Sequence, residues 1–286
     1  MRVAFVALLG VLAILALKLA VFAWTRSAAV LSDALESLVN VAAALMAMFS
    51  VWYAARPADR EHPYGHGKVE FITAGVEGLA ILAAGAWIAV EAARRLAAGH
   101  EVQAPGWGMV GLIVIAALLA ALASYIHRAG QQLQSPALIA DGRHLLVDAA
   151  STFGVATALG LVKITGWQWL DTLAAALVCL LVLRAGLALL RRAWAGLLDR
   201  IDESDDAAIR AVLDEEVAGS PLLSYEKVKH RHQGAFHWVD MHLRFPPRMS
   251  VADAHEQASR IEKRVEHAVD GDAKATAHIE PGEPDA

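Results

Sequence analysis

The chain has 286 residues, of which 57% are hydrophobic, and its mean hydropathy is +0.43, whereas soluble domains are about 45–50% apolar. The formal net charge is −5, and no cluster of basic residues indicates a nucleic-acid partner. The one cysteine, Cys179, excludes a disulfide within the chain. Apolar runs give way to ordinary charged sequence at Asp199, which predicts a membrane domain over residues 1–198 and a compact tail over 199–286.

The apolar runs of the membrane domain are long enough for helices that cross a bilayer, which takes about 20 residues. The six predicted spans are residues 3–24, 28–55, 71–97, 107–127, 136–165 and 167–190. The first run is long enough to span, so we expect it to be retained rather than removed as a signal peptide. Lys and Arg residues are concentrated between the second and third spans and after the sixth, which predicts that both termini are cytoplasmic.

The tail has the sequence patterns of a small α+β domain. Helical spacing of apolar residues is found over 202–218 and 251–269, and strand patterns are found over 223–232, 236–245 and 274–279. Gln233 and Gly234 provide a turn between the first two strands. The order helix, strand, strand, helix, strand predicts a ferredoxin-like domain.

A short repeat in the second and fifth spans carries the chemistry. Residues 32–40 read Ser-Asp-Ala-Leu-Glu-Ser-Leu-Val-Asn, and residues 140–148 read Ala-Asp-Gly-Arg-His-Leu-Leu-Val-Asp. Both place polar groups three and seven residues after an aspartate, which puts them on one helix face. A charge in the middle of a bilayer costs about 2.5–3.5 kcal/mol. A cation bound between the two helices would offset this cost for the charged groups of both.

Four side chains of this repeat form the predicted metal site: Glu36, Asn40, His144 and Asp148. Three oxygen donors and one imidazole suit tetrahedral Zn²⁺ and the metals that resemble it. The alternative is that the two polar faces only hydrogen-bond to each other. Asp33 and Asp141 lie one turn nearer the helix starts. They either support the metal ligands or line the entrance to the site, or they are simply acidic residues that the N-terminal end of the helix dipole favours.

These segments resemble the cation diffusion facilitator family, of the bacterial zinc and iron exporter type. The resemblance also rests on His-Pro-Tyr-Gly-His-Gly-Lys-Val-Glu over 62–70, Ala-His-Glu over 254–256 and Ala-His-Ile-Glu-Pro over 277–281, and it covers nearly the whole chain. It implies a homodimer with six membrane helices per subunit, a bilayer-embedded transport domain and a cytoplasmic ferredoxin-like domain. It also implies export of a divalent metal ion in exchange for protons, no enzymatic activity, no organic cofactor and a bacterial inner membrane.

The resemblance assigns the transport site to the four residues of the repeat, with one departure. The family usually has His or Asp and then Asp in the second helix, where this chain has Glu36 and Asn40. Because Asn is neutral, the site holds one fewer negative charge, and the metal is left open. Zn²⁺ leads, with Fe²⁺, Co²⁺, Ni²⁺, Cd²⁺ or Mn²⁺ as alternatives.

The resemblance also implies sites outside the membrane. Asp59, His62 and His66 match a metal site in the loop after the second helix, although a solvated turn would use the same residues. Lys68 matches a lysine that pairs with an acid after the sixth helix, here Asp199. In the tail, a regulatory metal site at the dimer interface is matched by His242, His255, His278 and Glu280, with Glu226, His230 and His232 as further candidates. His237 is an extra histidine.

Two other functions compete with transport. The neutral Asn40 favours a membrane metal sensor or scaffold that binds metal without moving it. A membrane metalloenzyme with Glu36 as its general base is the second alternative, but the chain contains no His-Glu-x-x-His motif. For transport, His144 is the natural proton-coupling residue, because histidine titrates near neutral pH and metal binding requires the neutral ring.

Overall fold

The computed structural model describes residues 1–25, 28–98, 108–167, 169–269 and 271–282. The chain forms two compact units. The first comprises Met1–Arg56 and Val69–Trp194, and the second comprises Pro57–Lys68 and Ala195–Ala286. The loop over Pro57–Lys68 therefore packs with the tail, although it connects two helices of the first unit.

The first unit is built from long helices. They are α1 (Arg2–Thr25), α2 (Ala28–Ala54), α3 (Val69–Ala98), α4 (Gly108–Gln132), α5 (Pro136–Thr165) and α6 (Trp169–Leu197). Within the described residues, all of these except α5 contain a stretch long and apolar enough to cross a membrane, which gives five candidate spans. The predicted helical membrane domain is thus confirmed at this level.

Helix ends follow local chemistry rather than hydrophobicity alone. Both α4 and α6 continue several residues past the predicted apolar runs, because the Arg, Ala and Gln residues that follow are good helix formers. α5 begins after Ser135, whose hydroxyl accepts a hydrogen bond from the Leu138 N–H. Ser135 and the Ala137 N–H also donate to the Glu70 carboxylate of α3, a negative charge that the N-terminus of α5 favours. α5 ends at Gly166, which adopts a left-handed φ of 74°.

α5 lies at the centre of the first unit, because it contributes to two apolar clusters. In one cluster, Leu138 and Leu145 of α5 pack with residues of α1, α2 and α4. In the other, Ala140 packs with residues of α3 and α6, among them Ile81 and Leu189. Polar side chains on α5 are therefore surrounded by protein, which suits a helix whose charged groups must not face lipid.

The second unit continues with α7 (Glu203–Gly219), β1 (Ser224–Gln233), β2 (Phe236–Phe245), α8 (Val251–Ala268) and β3 (Asp272–Pro281). This confirms the predicted order of elements. The strands form one sheet in the order β1-β2-β3, with β1 and β2 antiparallel and β2 and β3 parallel. The parallel pair is connected through α8, as a crossover of this kind requires. Both helices pack on one face of the sheet, where an apolar core includes Ile209, Val239, Met241 and Ile261.

The sheet thus has a covered face under the helices and an open face. On β1, the alternation between these faces is broken by a β-bulge between Glu226 and Lys229, where Lys227 has a φ of 51°. Glu226 pairs with His242, and His230 pairs with the buried Val239. An even spacing of four residues would place Glu226 and His230 on one face, but the extra residue of the bulge places them on opposite faces.

Candidate metal centres

Three of the four predicted transport residues come together between α2 and α5. Asn40 Nδ2 donates a 2.6 Å hydrogen bond to Asp148 Oδ2. His144 lies one turn before Asp148, with 4.0 Å between its Nε2 and Asp148 Oδ1. Asn40 is 2% exposed and His144 is 7% exposed. The side chains of Glu36 and Asp33 lie outside the described residues. An amide, a carboxylate and an imidazole are donors that zinc-like metals accept.

A second acidic feature of the first unit lies close to this site in sequence. Asp141 is completely buried, and neither carboxylate oxygen has a hydrogen-bond partner among the residues that the structure describes. It is the sixth residue of α5, so it lies beyond the first turn where the helix dipole acts. Glu77 of α3 is 1% exposed, also lacks such partners in the described part of the chain, and lies within electrostatic reach of Asp141. Sequence reasoning missed Glu77, although an acid inside an apolar run is itself a signal of function.

The loop over Pro57–Lys68 brings its three predicted ligands together. Asp59 Oδ1 accepts hydrogen bonds from the N–H groups of Glu61 and His62, which fixes the turn. Its carboxylate lies 3.4 Å from His62 Nδ1 and 3.3 Å from His66 Nε2. The backbone hydrogen bond from His62 holds the pKa of Asp59 below its usual value, which favours the ionised form that binds metals.

The predicted pair of Lys68 and Asp199 forms within the second unit. Lys68 Nζ lies 3.1 Å from Asp199 Oδ2 and donates a 3.3 Å hydrogen bond to the Leu197 carbonyl. Asp199 follows the end of α6 with a φ of 54°, a conformation that Asp tolerates better than most residues. The pair ties the loop to the residues that lead into the tail.

Three of the predicted tail ligands meet on the open face of the sheet. His242 of β2 and His278 of β3 are neighbours across the strands, and their ring centroids are 4.8 Å apart. Glu280 Oε1 lies 2.7 Å from His242 Nδ1 and 3.8 Å from His278 Nε2. The hydrogen bond with His242 is the main reason that the pKa of Glu280 is lowered. We call these three residues the open-face cluster.

The other predicted tail ligands lie elsewhere. His255 is exposed on α8 and is not part of the open-face cluster. Glu226 accepts a 3.0 Å hydrogen bond from Arg244 Nη2, and Arg244 also contacts Glu280. His230 and His232 lie on the covered face because of the bulge, so the structure separates them from the open-face cluster.

On the covered face, His230 and His232 meet His237, together with two acids of α7. His230 Nδ1 is 2.9 Å from His237 Nε2, and His232 Nε2 is 2.9 Å from Asp205 Oδ2. Burial lowers the pKa of His237 to about 3, with the charges of His232 and His230 acting in the same direction. Burial also lowers the pKa of His230. Sequence reasoning missed the role of His237 and Asp205, since no local motif connects α7 to the strand hairpin.

Two family profiles match almost the whole chain. The family profile of the cation efflux transmembrane domain matches residues 4–198, and that of the cytoplasmic domain of cation efflux proteins matches residues 201–282. The second profile is named for a dimer, which supports a homodimer. Together with the apolar helices, the first match identifies an integral membrane protein.

Individual relatives are similar over most of their length. An uncharacterised transporter of Synechocystis is 35% identical over 94% of this chain and 86% of that protein. The cation-efflux pump FieF of Klebsiella pneumoniae is 28% identical over 87% of this chain and 83% of that protein. The metal-bound C-terminal domain of the CzcD transporter from Thermotoga maritima is 27% identical over 28% of this chain and 94% of that one, with a TM-score of 0.25. On the profile match to residues 4–198 and the identity to the Synechocystis transporter, the chain belongs to the cation diffusion facilitator family.

Proposed function

We propose that the chain exports a divalent transition-metal ion across a bacterial inner membrane in exchange for protons. The observation that carries the proposal is the contact of Asn40 on α2 with Asp148 on α5, beside His144. Metal-ligating side chains of two apolar helices converge there, in a member of a cation efflux family. Ionisable groups at such positions mark ion pathways in membrane proteins.

The proposed transporter has six membrane spans and a cytoplasmic tail. α5 also crosses the membrane, which brings the number of spans to six and places both termini in the cytoplasm, and the transport domain covers residues 1–198. The tail over 199–286 is a ferredoxin-like domain that pairs with a second copy. The concentration of Lys and Arg between α2 and α3 and after α6 supports this orientation.

The donor set favours Zn²⁺ as the cargo, with Fe²⁺, Co²⁺, Ni²⁺, Cd²⁺ and Mn²⁺ as alternatives. Glu36, His144 and Asp148 would supply two carboxylates and an imidazole. Asn40 would bind through Oδ1, which has no hydrogen-bond partner among the residues the structure describes. The imidazole argues against a metal that prefers oxygen ligands only.

Proton exchange follows from the chemistry of these ligands. A metal binds to neutral imidazole and ionised carboxylate, so binding on the cytoplasmic side releases protons. Protons that arrive from the other side then compete with the metal for His144 and Asp148. Movement of α2 and α5 with their neighbours would expose the site to each side in turn.

The metal clusters of the second unit are proposed to regulate transport. The loop group of Asp59, His62 and His66 has the donor types of a zinc site. The open-face cluster offers two imidazoles and a carboxylate, and His255 of a second copy could join it in a dimer. A metal would regulate transport through these groups if it bound one conformation more tightly than the other.

A second function is favoured by one observation. Asn40 donates to Asp148 Oδ2, and as a neutral side chain it brings no negative charge to offset that of a metal ion. A membrane sensor or scaffold that binds metal without moving it would tolerate this arrangement better than a transporter.

Metal flux into proteoliposomes separates the two functions. Purified protein would be reconstituted with an acidic interior, and Zn²⁺, Fe²⁺, Co²⁺, Ni²⁺, Cd²⁺ and Mn²⁺ would be supplied one at a time. We expect uptake of one or a few metals that stops when the pH gradient is removed. Metal binding without flux for any of the six ions would refute transport and favour the sensor.

A further inference from the structure

The covered face of the sheet carries a group of imidazoles and carboxylates where β1 and β2 approach their turn. We name it the hairpin cluster; it consists of Asp205, Asp206, His230, His232 and His237. His232 and His237 are direct partners across the two strands. Further along this face the positions are filled by apolar residues such as Val239 and Met241. Burying three imidazoles at the end of an apolar face costs free energy unless each ring has a hydrogen-bond partner or a bound ion.

The distances within the cluster match the spacing of metal ligands. Asp205 Oδ2 is 2.9 Å from His232 Nε2 and 3.7 Å from His237 Nδ1. All three ligand atoms lie within 4.8 Å of one another. A tetrahedral Zn²⁺ with bonds of about 2.0–2.1 Å separates its ligands by about 3.4 Å, so small side-chain movements would close the shell.

The hydrogen bonds around His237 leave the correct nitrogen available. His237 Nε2 is 2.9 Å from His230 Nδ1, whereas His237 Nδ1 has no hydrogen-bond partner among the described residues. If Nε2 carries the proton and donates to His230, then Nδ1 presents its lone pair toward Asp205. Metal-ligating histidines commonly donate their other N–H in this way.

His230 extends this arrangement to the second acid of α7. Its remaining nitrogen, Nε2, lies 3.8 Å from Asp206 Oδ1. The contact of His230 Nδ1 with His237 Nε2 orients the His237 ring, and Asp206 places a negative charge beside His230 at a distance longer than a hydrogen bond. Partners of this type tune a metal site without touching the metal.

We propose that Asp205, His232 and His237 form a further binding site for a zinc-like divalent cation, with His230 and Asp206 as positioning residues. Water completes the shell, since His232 and Asp205 keep partial access to solvent. The site is distinct from the open-face cluster, because the bulge at Lys227 places the two groups on opposite faces. The proposal concerns binding and does not depend on transport.

A metal there would clamp the start of α7 to the hairpin, and the loop over Pro57–Lys68 rests on the other side of the same hairpin. Gln233 Nε2 donates a 3.1 Å hydrogen bond to the Gly65 carbonyl, and Arg231 lies over the Tyr64 ring at 4.2 Å. Gly67 approaches so closely that a Cβ there would lie 2.0 Å from the Gln233 carbonyl oxygen. Occupancy of the hairpin cluster would therefore also stabilise the surface that holds the loop.

The first test counts bound zinc in the full-length protein. Metal-free protein in detergent would be dialysed against buffered Zn²⁺, and the metal per chain would be measured for wild type, Asp205→Asn, His232→Gln and Asp253→Asn. Asp253 is the matched control, because it is the third residue of α8 as Asp205 is of α7. We expect one fewer Zn²⁺ per chain in the first two variants and a wild-type count in the control. Wild-type counts in all variants would overturn the proposal.

The second test gives a positive signal, which a simple loss of folded protein would not produce. With Asp205→Cys, bound Co²⁺ should show a sulfur-to-cobalt charge-transfer band that wild type and Asp253→Cys lack. The thermal unfolding temperature would be recorded with and without Zn²⁺ in each variant. If the band is absent and the zinc-induced rise for Asp205→Asn equals that of wild type, the cluster is only a hydrogen-bond network and the proposal fails.

Discussion

The two units of the chain hold several of their proposed metal ligands in different environments. In the first unit, Asn40, His144 and Asp148 are largely buried among apolar helices, where each polar group is costly. In the second unit, Asp59, His62 and Glu280 keep partial or full access to water, where such groups cost little. Polar residues in the apolar helices of the first unit therefore point to a site by their rarity, whereas polar residues in the second unit need a family resemblance or the three-dimensional structure to single them out.

Buried acids of the two units also differ in the hydrogen-bond partners that surround them. Asp141 and Glu77 are buried in the first unit without hydrogen-bond partners among the described residues. In the second unit, the buried Glu216 of α7 receives hydrogen bonds from Arg260 and Arg264 of α8. A buried carboxylate with two guanidinium partners connects two helices of the fold, whereas buried acids within membrane helices commonly mark ion pathways.

The largest effect is expected in the first unit. His144→Gln removes the imidazole ligand, so we expect metal uptake by proteoliposomes to fall by about a hundredfold or more. His127→Gln is the matched control, because His127 lies on α4 and is not among the proposed ligands. Equal losses of uptake in the two variants would show that packing, and not metal binding, explains the effect.

A smaller effect is expected at the tie between α7 and α8. Glu216→Gln should lower the free energy of unfolding of the tail by about 1–3 kcal/mol, since both guanidinium groups keep access to water. Glu215→Gln on the same helix should cost less than about 1 kcal/mol, because its side chain is 69% exposed. Urea titration of the full chain, followed by hydrogen exchange of the amides of the tail, would measure both free energies. Equal losses in the two variants would contradict the proposed stabilisation by Glu216.

The contacts of Glu216 with Arg260 and Arg264 also predict that the stability of the tail depends on pH. Burial acts to raise the pKa of Glu216, but hydrogen bonds from Arg260 and Arg264 bring it below the ordinary value of 4.5. A lowered pKa in the folded state means that the stabilisation is complete above pH 4.5 and is lost as the pH falls further. The difference between wild type and Glu216→Gln should therefore shrink on acidification.

The smallest effect is expected at the pair of Lys68 and Asp199, whose side chains are each 34% exposed. Lys68→Met should destabilise the loop over Pro57–Lys68 by less than about 1 kcal/mol. Hydrogen exchange would show faster exchange of the loop amides, whereas the exposed control Lys274→Met should leave them unchanged. Unchanged exchange in Lys68→Met would show that the pair does not hold the loop.

Helical spacing in the first unit predicted which side chains share a face better than strand alternation did on β1. Polar positions such as His144 and Asp148 stand out against an apolar helix, and helical spacing alone brings them to one face. On β1, a bulge at Lys227 changes which face His230 and His232 occupy, and nothing in the alternation marks it. Contacts between distant elements, such as Asp205 with His232, require the fold itself.

Metal uptake by Asp148→Ala tests the central claim most directly. Wild type and variant would be reconstituted at equal density with an acidic interior, and the transported metal would be supplied outside. The account predicts uptake by wild type and none by the variant, while the amount of folded dimer stays the same. Wild-type uptake by Asp148→Ala would contradict the assignment of the transport site to α2 and α5.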